Sequence, residues 1–310
     1  MATVSITTTA KAKRVSAVRL RRALRPLLWV GPAIALIAVV VVWPVVVLVQ
    51  TSFQNIAPDG FTLGGAGWKN YSSLWHEPAL SGVVLRTLLW VGAIVTVTML
   101  ISLALAQLLH QRFPGRRLVR SALIAPWAAS VMMTALVFRW ALDPNTGAIN
   151  VVLHALGIVH RLGSQQADWL GKPSTALLAM MAVAVFVSLP FTTYALLAGL
   201  QGIPSDVYEA ARVDGAGTWR IYRSMTLPLL RPAILVATLI NVINVFNSFP
   251  IIWEMTRGGP GYETSTTTTM MFILKQSWIG ESAALSAVNF LLVLVIAVVF
   301  LRVASKDRLA

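Results

Sequence analysis

The chain has 310 residues, of which 57% are apolar and only 12% are charged, and its formal net charge is +14. The apolar residues lie in long runs with the basic residues between them, so the composition indicates a multi-pass membrane protein and not one that binds nucleic acid. Because cysteine is absent, disulfides, thiolate nucleophiles, cysteine zinc sites and iron–sulfur clusters are excluded.

Six apolar stretches are long enough to cross a membrane, which requires roughly 20 apolar residues. Each is predicted to be a helix, because an unpaired backbone is too costly in lipid. The predicted fold is therefore an all-α membrane protein with six transmembrane helices. The predicted spans cover residues 27–49, 82–109, 118–141, 175–200, 232–252 and 283–304.

The first span, residues 27–49, follows a basic tail over residues 1–26, which is the order found in a signal peptide. Its apolar run is too long for a signal peptide, and no small-x-small cleavage site follows it. We therefore predict that this span is retained as a transmembrane helix.

Basic residues are unevenly divided between the connections and predict the orientation of the chain. Both tails and the second–third and fourth–fifth connections are rich in lysine and arginine, whereas the alternate connections are poor. The second–third connection, for example, carries Arg112, Arg116, Arg117 and Arg120, and the first–second connection carries only Lys69. By the positive-inside rule, both termini and the fourth–fifth connection are predicted to be cytoplasmic.

The fourth–fifth connection, residues 204–232, is polar and has helical character. Ser205 is the predicted N-cap of a two-turn helix over 206–213, and Gly215 suits a left-handed exit from that helix. A second short helix is predicted over 218–225, before prolines mark the entry to the fifth span. Taken alone, the segment could also be an ordinary polar connection with a local Glu–Arg pair.

The same connection carries a motif with specific spacing. The residues that form it are Glu209, Ala210, Ala211, Asp214, Gly215, Leu227 and Pro228. They resemble the EAA loop of the permease subunits of ABC importers, and residues 204–232 are called the coupling loop below. The resemblance implies that the motif residues couple the chain to a cytoplasmic ATPase.

Other segments extend the resemblance over most of the chain. Residues 67–71, which read G-W-K-N-Y, resemble the family's periplasmic G-x-x-N-Y segment, and Pro126-Trp127 also fits. Residues 256–261, which read T-R-G-G-P-G, are followed by Thr264. They resemble a signature of the branch that contains the larger permease of carbohydrate and glycerol-3-phosphate importers, the maltose-type permeases.

The resemblance implies a domain, partners and a location. Residues 82–304 correspond to the five-helix core of a type I ABC importer transmembrane domain. The expected partners are a second homologous permease, two copies of a cytoplasmic ABC ATPase that bind ATP and Mg²⁺, an extracytoplasmic solute-binding protein and membrane lipid. No nucleotide-binding or hydrolase motif occurs here, so no catalytic residue, metal or cofactor is expected on this chain. The expected location is the cytoplasmic membrane of a bacterium or archaeon.

Polar residues within the later spans are candidates for a substrate pathway. On the fifth span, the spacing of Asn241, Asn244, Asn247 and Ser248 puts them roughly on one helical face, where amides can bond sugar hydroxyls. The candidates on the fourth and sixth spans are Ser188, Thr192, Thr193, Tyr194, Ser286 and Asn289. Hydrogen bonding between helices is the alternative role for all of them.

The charge of these spans bears on the substrate. No lysine or arginine lies in the central part of the fourth, fifth or sixth span. A phosphorylated substrate would favour such a cation, so a neutral mono- to oligosaccharide is favoured over glycerol-3-phosphate or a related polyol phosphate. A polytopic membrane enzyme and an ion-driven carrier are remote alternatives, because both call for mid-span acids or a metal site that the sequence lacks.

Overall fold

The computed structural model describes residues 29–306, and the predicted tail over 1–26 lies outside the described residues, as does the start of the first predicted span. The described chain is helical apart from one antiparallel hairpin of strands β1 (Gln54–Ile56) and β2 (Thr62–Gly65). The helices are α1 (Trp29–Ser52), α2 (Lys69–Trp75), α3 (Leu80–His110), α4 (Arg116–Ala128), α5 (Val131–Ala141), α6 (Ala148–Ala155), α7 (Pro173–Gln201), α8 (Ser205–Val213), α9 (Thr218–Ile221), α10 (Leu227–Phe246), α11 (Phe249–Thr256), α12 (Thr267–Leu274) and α13 (Ile279–Lys306).

Several helices are suited to a membrane. In the part of the chain that the structure describes, five stretches are long and apolar enough to cross one, and they are Trp29–Ser52, Leu80–His110, Pro173–Gln201, Thr218–Thr256 and Ile279–Ala304. Helices α4 and α5 pass the same test together, although they are bent by 99°. If the bent pair is one span, the count reaches the predicted six.

The outer faces of the bundle are apolar. Leu85, Leu88 and Leu89 of α3 are each more than half exposed, and the most apolar part of α1 buries none of its residues within the chain. Apolar surface of this extent is unusual for a water-soluble monomer and is what helices in contact with lipid require.

The core lies around α3 and α7, which pack against each other more extensively than any other pair of helices among the described residues. Trp90 and Ile94 of α3, Met180 of α7 and Leu230 of α10 are almost completely buried there. A smaller apolar cluster around Leu285 joins α2, α12 and α13. Helices α10 and α11 are therefore held against the α3–α7 pair.

The third predicted span is not one helix. Between α4 and α5, Ala129 and Ser130 adopt extended backbone conformations, and the two helices differ in direction by 99°. Pro126 lies in the last turn of α4, where it lacks an N–H and crowds the preceding turn. Ser130 then starts α5 as its N-cap, accepting a hydrogen bond from the Met133 amide at 3.2 Å. The prediction of a continuous helix over 118–141 is therefore wrong.

The fifth predicted span differs at both ends. It starts earlier than predicted, because α9, a π-helical stretch over Tyr222–Thr226 and α10 run on without a break. It is interrupted at Asn247 and Ser248, after which α11 begins with Pro250 in its first turn, a favoured position for proline. The predictions of a stop near residue 225 and of a single helix over 232–252 are both wrong.

Candidate functional site

A cavity of about 390 Å³ lies between α4, α5, α7, α10 and α11. Its wall includes the points where two membrane segments are interrupted, at Ala129 on one side and at Asn247 and Ser248 on the other. The volume is within the range of roughly 300–1,000 Å³ that is typical of small-molecule pockets. Discontinuous helices place polar groups beside the ligand in many membrane transporters. This position makes the cavity the candidate substrate site.

Asn241 is the most informative side chain in the cavity wall. It is only 2% exposed, and neither its amide nitrogen nor its carbonyl oxygen has a hydrogen-bond partner within the described chain. A buried polar group without a partner costs roughly 1–3 kcal/mol. The side chain therefore has unused hydrogen-bonding capacity, and a hydroxyl can both accept from the amide nitrogen and donate to the carbonyl oxygen.

The other predicted residues of the fifth span line the same cavity. Asn244 and Asn247 are exposed there, and the Asn247 side-chain nitrogen donates to the Ile243 carbonyl at 2.9 Å. Ser248 is buried and donates to the Val245 carbonyl at 2.6 Å. The sequence thus identified four residues that the structure brings together.

Two neighbouring helices hold the wall in place. The indole N–H of Trp90 donates to the Ser248 hydroxyl at 2.8 Å and so ties α3 to the interruption. From α7, Ser188 and Thr192 line the cavity, and the Thr192 hydroxyl donates to the Ser188 carbonyl at 2.9 Å. Both bonds stabilise the protein itself, so the asparagine amides remain the groups with spare bonding capacity.

The cavity is electrically neutral. Acidic side chains, lysine, arginine and histidine are absent from its lining among residues 29–306. The described part of the chain also holds no group of three histidine, aspartate or glutamate residues that could bind a metal ion. Amides, hydroxyls and apolar side chains are therefore what the site offers to a ligand, a set that suits a neutral molecule rich in hydroxyls.

Four predicted pathway residues lie outside this cavity. Thr193 is fully buried, and its hydroxyl has no partner in the described chain. Tyr194 donates to a backbone carbonyl of α4 at 3.2 Å, and Ser286 donates to the carbonyl one turn earlier in its own helix at 2.7 Å. Asn289 lines a separate, mainly apolar cavity of about 350 Å³. A role for these four residues in the pathway stays a prediction.

Two aromatic residues in the cavity wall were not among the predicted pathway residues. Trp127, 61% exposed, and Phe191 line the cavity with ring centroids 6.4 Å apart. Such rings offer a flat apolar surface to one face of a ligand. The available signal was the position of Pro126-Trp127 inside an apolar run, because a proline at that point indicates an interruption and a neighbouring ring can then turn into the space.

The coupling loop begins with α8 and turns at Gly215. The φ angle of Gly215 is +76°, so the predicted left-handed exit is confirmed. The prediction for Ser205 is wrong, because it is the first residue of α8 and donates to the Asp206 carboxylate at 3.3 Å, while Pro204 occupies the N-cap position. Proline can occupy this position because an N-cap residue has an extended backbone and needs no N–H of its own for the helix.

The motif residues of the loop divide between two faces of the chain. Glu209, Ala210, Asp214 and Gly215 are exposed and can meet a partner. Ala211 is only 1% exposed, since successive helical residues point about 100° apart and this one packs inside the chain. We therefore assign Ala211 to the packing of α8 and not to the outward-facing surface.

The end of the coupling loop is also the start of the helix that carries the asparagines. Leu227 is the first residue of α10, and Pro228 lies in its first turn, where its missing N–H is tolerated. Asn241 follows in the same helix, so at 1.5 Å per residue it lies about 21 Å along the axis from Leu227. Helix α10 therefore links the end of the coupling loop to one wall of the cavity.

Known proteins resemble the chain in both sequence and structure. It is 34% identical over 281 residues to the sulfoquinovosyl glycerol transport system permease protein of Agrobacterium fabrum, covering 89% of each chain. It is 34% identical over 215 residues to the trehalose/maltose transport system permease protein of Thermococcus litoralis, covering 69% of this chain and 71% of the relative. A bacterial ABC transporter that imports alginate has the same fold, with a TM-score of 0.79 over 93% of this chain and 99% of that one at 20% identity.

A match to a family model identifies the protein family of the chain. The model described as "Binding-protein-dependent transport system inner membrane component" matches residues 98–309, which include the cavity and the whole coupling loop. This chain therefore belongs to the family of inner membrane components of binding-protein-dependent transport systems.

Proposed function

We propose that this chain forms one half of the translocation pathway of an ATP-driven importer and that its substrate is a neutral sugar, from mono- to oligosaccharide. The observation that supports the substrate class is the uncharged cavity with the unpaired Asn241 amide in its wall. A sugar hydroxyl that bonds both amide atoms removes the cost of burying them. Trp127 and Phe191 offer an apolar surface for the less polar face of a sugar ring.

The names of the relatives support a carbohydrate substrate, but they include both neutral and anionic compounds. One relative is named for trehalose and maltose, which are neutral, and the other for sulfoquinovosyl glycerol, which carries a sulfonate. A relative of Yersinia pestis is named for sn-glycerol-3-phosphate, which keeps a polyol phosphate as the second candidate. An anionic substrate favours arginine or lysine in its site. The described cavity wall has neither residue, and this favours the neutral sugar.

In this proposal the coupling loop docks on a cytoplasmic ATPase through the exposed residues Glu209, Ala210, Asp214 and Gly215. Two copies of the ATPase bind ATP and Mg²⁺ and carry out the hydrolysis, so the present chain is a transport subunit and not an enzyme. Closure of the ATPases displaces the loop, and α10 transmits the displacement to the cavity. The loop and the cavity are then two sites coupled through one rigid element.

The remaining partners complete the pathway. A second, homologous permease closes the open side of the cavity, and an extracytoplasmic solute-binding protein delivers the substrate. Both termini and the coupling loop face the cytoplasm, as the distribution of basic residues requires. Membrane lipid surrounds the exposed apolar faces of α1 and α3.

The proposed function can be tested by uptake of labelled compounds. Uptake is compared between cells that lack the gene and the same cells with the gene restored. The panel contains neutral mono- and disaccharides, a sulfonated sugar and glycerol-3-phosphate at equal concentrations. We expect restoration to recover uptake of a neutral sugar. Recovery of only an anionic compound would refute the neutral class, and recovery that persists when ATP is depleted would refute the ATP-driven mechanism.

A further inference from the structure

A second cavity, formed by the start of α4 and the segment before it, is lined by four arginines. It follows the end of α3, has a volume of about 420 Å³, and is lined by Arg112, Phe113, Gly115, Arg116, Arg117 and Arg120. No carboxylate is among the described residues that form its wall. Four guanidinium groups therefore converge without a compensating negative charge, an arrangement that favours a bound anion.

Buried donors inside this cavity point to a missing partner. The Nε atoms of Arg116 and Arg120 are shielded from solvent and make no hydrogen bond within residues 29–306. Arginine never loses its charge in proteins, so the cost of these buried donors can be removed only by an acceptor. The first turn of α4 adds to the positive potential, because it contains no acidic residue and no side chain caps it.

We propose that the arginine cavity binds the phosphate headgroup of an anionic phospholipid in the cytoplasmic leaflet. The proposal rests on the orientation given in the proposed function, which places these arginines on the cytoplasmic side. A guanidinium group offers two parallel donors that match the oxygens of a phosphate. Basic pockets beside membrane helices on this side are suited to anionic lipid headgroups.

Exposed leucines beside the arginines favour a lipid over a free phosphate or an acidic protein surface. Leu118 in the first turn of α4 is 75% exposed, and Leu108 in the last turn of α3 is 42% exposed. A phosphate ion or an acidic protein surface makes no use of leucines at this position, whereas the acyl chains below a lipid headgroup pack against them.

Lipid binding by the purified full-length chain tests the proposal without any need for transport. The chain is held in neutral detergent and titrated with phosphatidylglycerol or phosphatidylcholine, and bound lipid is counted by native mass spectrometry. The variants are R116Q/R120Q, which removes the buried donors, and R112Q/R117Q, which removes two exposed arginines. R161Q/K172Q is the matched control, because it removes two exposed positive charges from the third–fourth connection, which is proposed to lie on the opposite side.

We expect the first phosphatidylglycerol to bind at least about tenfold more weakly to R116Q/R120Q, the effect of losing one or more charge-assisted hydrogen bonds. R112Q/R117Q should also bind it more weakly, and this variant decides the outcome if R116Q/R120Q does not fold. R161Q/K172Q should bind it as the wild type does. Affinity that is unchanged in both arginine variants would overturn the proposal.

Two further arms identify other occupants of the cavity. Displacement of phosphatidylglycerol by millimolar inorganic phosphate would show a free-anion site and overturn the lipid assignment. Loss of ATPase association by R116Q/R120Q, with the phosphatidylglycerol affinity of this variant intact, would show a protein-docking surface and also overturn the lipid assignment. A failure of sugar uptake with lipid binding intact would count against the proposed function alone.

Discussion

Substitution of Asn241 by leucine separates the two roles that a buried amide can have. In the structure Asn241 is 2% exposed, and both of its polar atoms lack a partner within the described chain. Leucine has a similar shape and no polar atom, so it removes two groups whose burial costs roughly 1–3 kcal/mol each. We therefore expect the substrate-free protein to be at least as stable as the wild type.

The same substitution removes two hydrogen bonds to the substrate. At about 0.5–1.5 kcal/mol for each bond, the loss is about 1–3 kcal/mol, which corresponds to a roughly 5- to 160-fold weaker affinity. The Km of transport in reconstituted vesicles measures the second effect. The thermal unfolding midpoint without substrate measures the first.

Asn289→Leu is the matched comparison for this experiment. Asn289 is also a buried amide, 8% exposed with its nitrogen unpaired in the described chain, but it lines the separate apolar cavity. Because Asn289 lies outside the substrate cavity, we expect its substitution to change the transport Km less than Asn241→Leu does. An unchanged Km for Asn241→Leu, together with a lower unfolding midpoint, would refute the reasoning, because that result is expected of an amide that holds helices together.

Three further predictions follow from the loop, the orientation and the helix interruption. Gly215→Leu places a side chain at a φ of +76°, at a cost of roughly 1–2 kcal/mol, on the exposed surface of the coupling loop, and should weaken ATPase association in a pull-down assay. Gly217→Leu, at a φ of −69°, is the control and should retain association, and equal binding by both variants would contradict the docking assignment. Reporter fusions after Arg116 and Arg220 should give a cytoplasmic signal, and fusions near Gly64, Ser164 and Gly261 an external one; an external signal at Arg220 would be incompatible with an ATPase partner. Trp90→Phe removes the donor that bonds Ser248 at 2.8 Å and leaves a space in the core, so it should lower the free energy of unfolding by at least about 0.5–1.5 kcal/mol; an unchanged thermal midpoint would show that this bond does not stabilise the interruption.

The membrane segments were predictable because a long apolar run has few other stable locations. The interruptions of these segments could not be predicted, because a proline in a membrane helix is compatible with a kink, a stop or an undisturbed first turn. Tertiary contacts decide between these outcomes. At Ser248 the deciding contact comes from Trp90, which lies 158 residues earlier in the sequence.

The candidate site shows what helical periodicity can and cannot predict. Asn241 and Asn244 are one turn apart in α10 and reach the cavity together, as their spacing predicted. Asn247 and Ser248 also line the cavity, but they do so where the helix has ended, so the assumption of one continuous helical face was wrong for them. Periodicity also gives no indication of which neighbour a face meets, and for this reason the cavity that contains Asn289 could not be distinguished from the substrate cavity.

In the coupling loop, too, one feature could be predicted from the sequence and another could not. A glycine after a short helix predicts a left-handed residue from backbone sterics alone, and Gly215 has that conformation. The exposure of Ala210 and the burial of Ala211 depend on how α8 is rotated against the rest of the chain. Two alanines in succession carry no information about that rotation, because neither is more polar than the other.

The pattern of satisfied and unsatisfied groups at the interruptions connects the fold to transport. Breaking a helix within a membrane frees backbone groups at a cost of several kcal/mol each, and such breaks persist only where those groups find partners or line a cavity. The Ser130 hydroxyl accepts from the Met133 amide of α5, and Ser248 and Trp90 both donate to the Val245 carbonyl near the end of α10. The chain's own side chains therefore bond one freed backbone group at each interruption, whereas the Asn241 amide nearby has no partner within the described residues. Because α10 carries both the end of the coupling loop and Asn241, we propose that a substrate completes the hydrogen bonds of this amide and that a movement of the loop breaks them.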